Sequence, residues 1–255
     1  MHKKSFAVLL VLIVCVFIQG HILSASSWLS QRAVTQNNHG RELCTNLGFF
    51  CVYVKKNDTW TSLWPNYFER QLVMSLNRMN IPLAPGMVLA VPDDLATADL
   101  MKFAPFDAKI APPKEKLVIV DPVAHAWGAY NARGELVRWG PASGGDQWCN
   151  DLGRACRTPV GTFRVYAEGS SECISSKFPI PTGGAPMPYC MYFHGGMALH
   201  GEPVGVPGFN ASHGCVRLFV ADAEWLRFNF IEAPNASNHY KGTKVIIEPY
   251  AQKRK

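Results

Sequence analysis

The residues with the clearest chemical content are Ser212-His213-Gly214-Cys215-Val216-Arg217-Leu218, preceded by Met197-Ala198-Leu199-His200-Gly201. A thiol attacks a carbonyl carbon well only as its thiolate. A nearby imidazole takes the thiol proton and later returns one to a leaving amine. Two imidazoles are at hand: His200, from a separate segment, and His213, two residues before the thiol. Gly214 lets the backbone approach closely and adopt angles that a side chain disfavours. Consecutive backbone N–H groups in such a turn form an oxyanion hole, and a helix expected after Arg217 adds the positive end of its dipole. The chemistry indicated is acyl transfer through Cys215. A metal centre is the rival, since His194, His200, His213 and Cys215 offer nitrogen and sulfur ligands. The chain has no Cys-x-x-Cys pair, and the string fits a nucleophile more completely. No metal and no cofactor are therefore expected. His125 and His239 stand without supporting neighbours and read as surface residues.

The other cysteines place the thiol in a compartment. Lys3 and Lys4 precede an uncharged apolar run from Phe6 to Ile18, and small polar residues follow up to Ser26. This is the layout of a secretory leader over residues 1–26, its apolar run too short to span a bilayer comfortably, with an uncleaved anchor as the alternative. Cys15 falls inside it. Of the eight cysteines, seven remain, an odd number. An oxidising compartment pairs six and leaves one thiol to be explained. Cys44 with Cys51 and Cys149 with Cys156 share one local spacing, and Cys173 with Cys190 completes the expected set, leaving Cys215 free. A regulatory bridge between Cys190 and Cys215 is the alternative. Losing Lys3 and Lys4, with no acidic residue before Glu42, takes the formal charge from +6 to +4. That mild excess suits an anionic surface, and no Lys/Arg stripe points to nucleic acid.

Several elements must position these residues. Residues 27–42 are polar and aperiodic and read as a linker. Over 43–95 a compact module is expected: a strand at 49–54, helical spacing through Trp60, Leu63, Leu72, Val73 and Leu76 with Asn57-Asp58-Thr59 as the cap, and a strand at 87–92 after the Pro85-Gly86 turn. Residues 96–113, with Pro105, Pro112 and Pro113, read as a second linker. From 114 to 249 short apolar strands alternate with Gly/Pro turns, Asn131 to Gly134 is a hairpin loop, and the clear helix runs from Val220 to about Phe230 with Asp222 in its first turn. A basic tail closes the chain at 250–255. The fold class is mainly β, with a small βααβ unit in front.

The Ser-His-Gly-Cys string, the upstream His200-Gly201 and the ordered words Thr158-Pro159-Val160-Gly161-Thr162-Phe163 and Met187-Pro188-Tyr189 resemble the L,D-transpeptidases, the YkuD-type catalytic domain, over about 115–249. The resemblance implies a β-sandwich-like domain and a ping-pong reaction on peptidoglycan stem peptides, through a thioester on Cys215. It implies that His200 is the general base, that the Gly201 carbonyl orients its ring, and that the His213, Gly214 and Cys215 N–H groups hold the oxyanion. Arg217 then pairs a substrate carboxylate or braces the loop. Ser212, Tyr189, Phe193, His194, Gly195 and Gly196 are expected on the substrate side. The three bridges depart from typical family members, and the one at Cys190 flanks the loop over the groove.

The words VKKNDTWTSLW, LNRMN and LAPGMVLAVP resemble a LysM module, which implies binding to peptidoglycan glycan strands. Asn57 stands where such modules carry Gly, and Asn tolerates positive φ. The expected protein is therefore a periplasmic or wall-bound enzyme forming 3→3 cross-links, with peptidoglycan as its partner. The alternatives are an L,D-carboxypeptidase, a relative that anchors a lipoprotein to the wall, and a non-catalytic wall-binding protein.

Overall fold

The computed structural model describes residues 27–251. The leader at 1–26, with Cys15, and residues 252–255 of the basic tail lie outside the described residues.

The N-terminal unit is built on helix α1 (27–36), helix α2 (His39–Leu43), strand β1 (Phe49–Tyr53), helices α3 (Trp60–Leu63) and α4 (Tyr67–Leu76), and strand β2 (Val88–Pro92). β1 and β2 pair antiparallel. Local chemistry sets the helix starts. The Thr59 hydroxyl accepts from the Ser62 N–H while the Ser62 hydroxyl accepts from the Thr59 N–H, a reciprocal cap. Asn66 caps α4 through the Phe68 and Glu69 N–H groups. Asn57 adopts φ +73°, the left-handed geometry that Asn accepts at low cost. Asn77 is fully buried, and its amide donates to the Val73 and Ala90 carbonyls and accepts from the Ala90 N–H. It thereby ties α4 to β2 with every polar atom satisfied.

The segment read as a linker at 27–42 is helical instead. Leu29 and Ala33, four apart and so on one helical face, are buried in the N-terminal core. A two-residue apolar face is too short to stand out as a period in sequence. The 96–113 stretch is also bound on both sides. Phe103 packs against Phe49, the Leu100 carbonyl accepts from Trp139 Nε1 at 2.9 Å, and the Asp107 carbonyl accepts from the Tyr130 hydroxyl.

The second unit is one curled nine-stranded sheet, in the order β6-β11-β3-β4-β5-β10-β9-β8-β7. Its strands are β3 (Leu117–Asp121), β4 (Ala126–Tyr130), β5 (Leu136–Ser143), β6 (Gly161–Arg164), β7 (Ala167–Glu168), β8 (Met191–His194), β9 (Met197–Gly201), β10 (Val216–Leu218) and β11 (Lys244–Ile247). β5 joins the halves: its first part pairs with β4, and Ala142 and Ser143 pair with β10. The halves face each other over Val118, Val120, Trp127, Met191, Phe193, Leu199, Val216 and Leu218. Helix α5 (Val220–Trp225) passes into a π-helical turn, Leu226–Phe230. Asp222 is buried in α5 and takes an ion pair at 2.8 Å from Arg138, which fastens the helix to β5.

The two units share a core. Val206, Phe209 and Phe219 of the second pack among Trp60, Met79, Ile81 and Leu89 of the first. Gly205 sits at φ +99° with Ile81 so close that a Cβ would lie 2.9 Å from its backbone nitrogen. His125, read as a surface residue, belongs to this junction: its Nδ1 lies 2.8 Å from His39 Nε2. Burial, with Arg78 alongside, pushes His125 down to about 4. Burial, then the neighbouring His125 and Arg78, pushes His39 down to about 3.

Candidate active site

β9 and β10 run parallel, with Arg217 opposite His200 and Val216 opposite Leu199. Strand residues alternate faces. Val216, Leu218 and Leu199 therefore enter the core, while His200 and Arg217 look the other way, and Cys215 just precedes β10 on that second side. A cavity of about 360 Å³ opens there, lined by Cys215, His200, His213, Ser212, Arg217, Gly195 and Gly196 among others.

The turn before Cys215 is fixed by Ser212. Its buried hydroxyl donates to the Cys215 carbonyl and accepts from the Gly214 N–H at 3.0 Å. Gly214 has φ +123°, with Met197 packed where a Cβ would be. Ser212 thus spends its hydroxyl inside the turn rather than on a ligand, and the Gly214 N–H, expected in the oxyanion hole, is engaged by it. The His213 and Cys215 N–H groups are the turn's remaining donors.

His200 is buried, and its Nδ1 lies 2.8 Å from the Gly201 carbonyl. A carbonyl only accepts, so Nδ1 carries the proton and Nε2 has a free lone pair. Burial pushes the ring down to about 4; the Gly201 hydrogen bond opposes this and the Arg217 charge adds to it. The Cys215 thiol is pushed up by burial, against hydrogen bonding to the Ala198 backbone and the Arg217 charge. At neutral pH the pair is a thiol and a neutral imidazole.

Arg217 does not present a free charge. Its Nε lies 3.0 Å from the buried Glu202 carboxylate, so it braces the segment after His200. Tyr189, Phe193 and His194 do not join the cavity. Tyr189 donates to Glu224 at 2.9 Å, Phe193 is in the core, and the exposed His194 lies against Phe163.

Sequence reading missed the walls. Cys149–Cys156 and Cys173–Cys190 are bridged, as is Cys44–Cys51, and Cys215 is the free thiol among the described cysteines. The 149–156 loop carries Asp151, whose carboxylate lies 2.8 Å from His213 Nε2. The 173–190 loop carries Phe178, which stacks on His213 at 4.4 Å. His213 is therefore clamped between two bridged loops. The paired cysteines were the available signal; the meeting of Asp151 with His213, 62 residues apart, left none. Replacing Cys149 and Cys156 together by serine is expected to cost roughly 2–3 kcal/mol, from the loop-closure entropy of so short a loop. Urea unfolding of the oxidised protein and of the double variant measures it.

The family model for the YkuD L,D-transpeptidase catalytic domain matches residues 115–247. Among solved structures, the L,D-transpeptidase from Xylanimonas cellulosilytica is 27% identical over 65% of this chain and 73% of that one, with TM-score 0.46. The L,D-transpeptidase from Mycobacterium smegmatis is 24% identical over 53% and 59%, with TM-score 0.40. L,D-transpeptidase 3 from Mycobacterium tuberculosis, in complex with a faropenem-derived adduct, is 22% identical over 52% and 60%, with TM-score 0.39. The chain spans less than two thirds of each mycobacterial structure. No curated protein matches it.

Proposed function

The chain belongs to the YkuD family of L,D-transpeptidase catalytic domains, and from that premise we propose that it joins peptidoglycan stem peptides by 3→3 cross-links through a thioester on Cys215. His200 Nε2 takes the thiol proton as Sγ attacks the carbonyl carbon of the third stem residue. The tetrahedral oxyanion is held by backbone N–H groups of the turn, His213 and Cys215 foremost. The imidazolium then protonates the departing nitrogen of the terminal residue, and the thioester remains. An acceptor amine attacks the thioester and returns its proton through His200, and the thiol is restored. Water or a lipoprotein lysine in place of the acceptor amine gives hydrolysis or anchoring from the same thioester, and the products tell them apart.

The observation that carries this reading is one free thiol and one buried, oriented imidazole on the walls of a single cavity. Three bridges agree with an oxidising compartment. None of the described helices is long and apolar enough to cross a membrane. The order β1, α3, α4, β2 over 43–95 supports reading that unit as a glycan-binding module of the LysM kind.

The test is intact-protein mass spectrometry after incubation with a carbapenem, which acylates a nucleophile of this type. A single covalent adduct on the wild type and none on Cys215→Ala is expected. No adduct on folded protein with a reactive Cys215 thiol would overturn the mechanism and favour a wall-binding role.

A further inference from the structure

Four charged side chains line the Cys215 cavity: Arg154, Lys177, Arg217 and Glu202. Arg217 and Glu202 neutralise each other. Arg154 and Lys177 pair with no carboxylate among the described residues. Asp151, the acidic residue of Arg154's own loop, is occupied by His213. The cavity thus carries two uncompensated positive charges beside the nucleophile.

Both charges sit on fixed supports. The Arg154 carbonyl accepts from the Cys149 N–H at 2.9 Å inside the loop closed by Cys149–Cys156. Lys177 lies in the lobe closed by Cys173–Cys190, where the Ser175 hydroxyl accepts from the Lys177 and Phe178 N–H groups and the Ala185 N–H donates to the Phe178 carbonyl. The two loops meet through Phe178, His213 and Asp151. Cations held on cross-linked loops lose little entropy when they engage an anion.

We propose that Arg154 and Lys177 are specificity determinants that receive a carboxylate of the donor peptide, so that the site selects donors with that group free over donors with it amidated. This rests on the reading of the cavity as a stem-peptide site. Two donor carboxylates lie near enough to the attacked carbonyl in the covalent chain: the side-chain carboxylate of the attacked residue, where that residue is a diamino diacid, and the terminal carboxylate of the leaving residue.

Three synthetic tetrapeptides test it, one with both carboxylates free, one amidated at the side chain and one amidated at the terminus. Their affinities are measured by calorimetry on Cys215→Ala protein, alone and carrying Arg154→Gln or Lys177→Gln. Both positions are exposed, so these variants keep the fold. Removing one charge-assisted contact is expected to weaken the free peptide roughly 10-fold or more. Amidating the recognised carboxylate should weaken binding to a similar degree and abolish the effect of the substitutions, which identifies the source. Equal affinity for all three peptides in all backgrounds would overturn the proposal. Wild-type turnover of the same peptides is followed in parallel. Charge-dependent binding without turnover would sink the transpeptidase reading and leave this one standing, whereas turnover with charge-blind binding would do the reverse.

Discussion

His200→Ala is expected to lower kcat/KM for stem-peptide turnover by ~10²–10⁴-fold, about 3–5 kcal/mol of barrier, with KM little changed. The size follows from the resting state. With the imidazole held near 4 and the thiol raised by burial, no thiolate–imidazolium pair is stored at neutral pH. Deprotonation must accompany attack, so the base contributes to the chemical step itself. The sign of the pH dependence follows as well. A base is active when unprotonated, so activity persists as pH falls below the ordinary histidine range of about 6.5 and declines only near 4. The acid limb of kcat/KM measured between pH 3.5 and 8 is the check. An acid limb centred in the ordinary histidine range instead would mean that His200 is not the base. His200→Ala protein should also keep its Cys215 thiol, titratable with a small alkylating reagent, which separates loss of the base from loss of the fold.

Much of this site was legible because its chemistry is local in sequence. Ser212, Gly214 and Cys215 lie within one turn, and alternation along β10 puts Cys215 and Arg217 on one side, to which the register with β9 adds His200. The Gly201 carbonyl acts on the residue next to it. What escaped is whatever the loops bring from afar. Glu202 gave no sign that it would neutralise Arg217, because pairing across parallel strands depends on register. Arg154 and Lys177 reach one cavity on loops closed by two separate bridges, and nothing in their local sequence marks that meeting. Tyr189, Phe193 and His194 lie off the cavity because side-chain direction decides: along β8 Phe193 faces the core while its neighbour Tyr192 lines the cavity, Tyr189 turns to Glu224, and His194 is exposed against Phe163.

The sharing of a core across the two units leads to the other large effect. Residues 114–249 expressed alone are expected to lose cooperative folding. Val206, Phe209 and Phe219 are buried against the N-terminal unit, and uncovering them costs about 5–9 kcal/mol at ~1.5–3 kcal/mol per side chain. Domain stabilities run only about 5–15 kcal/mol. The cut also removes the Leu100 carbonyl that satisfies Trp139 Nε1, and Arg78, which lies 4.5 Å over the Trp139 ring. Urea unfolding followed by tryptophan fluorescence, for residues 27–251 and for 114–249, measures the loss. An equal midpoint would mean that the front unit is only a tethered anchor. The consequence reaches the chemistry, because the chain from His200 to Cys215 is the segment that the front unit grips. Asn80 holds Val206 from both sides, donating to its carbonyl at 3.0 Å and accepting from its N–H at 2.7 Å. Ile81→Ala, at a fully buried position against Gly205, is the milder probe, with ~2–5 kcal/mol expected from cavity formation. If the grip sets the spacing of base and nucleophile, this variant loses kcat at temperatures where circular dichroism still reports it folded. A merely stabilising contact would leave kcat of the folded fraction unchanged. On that outcome the N-terminal unit acts on catalysis by holding still the fourteen residues between His200 and Cys215.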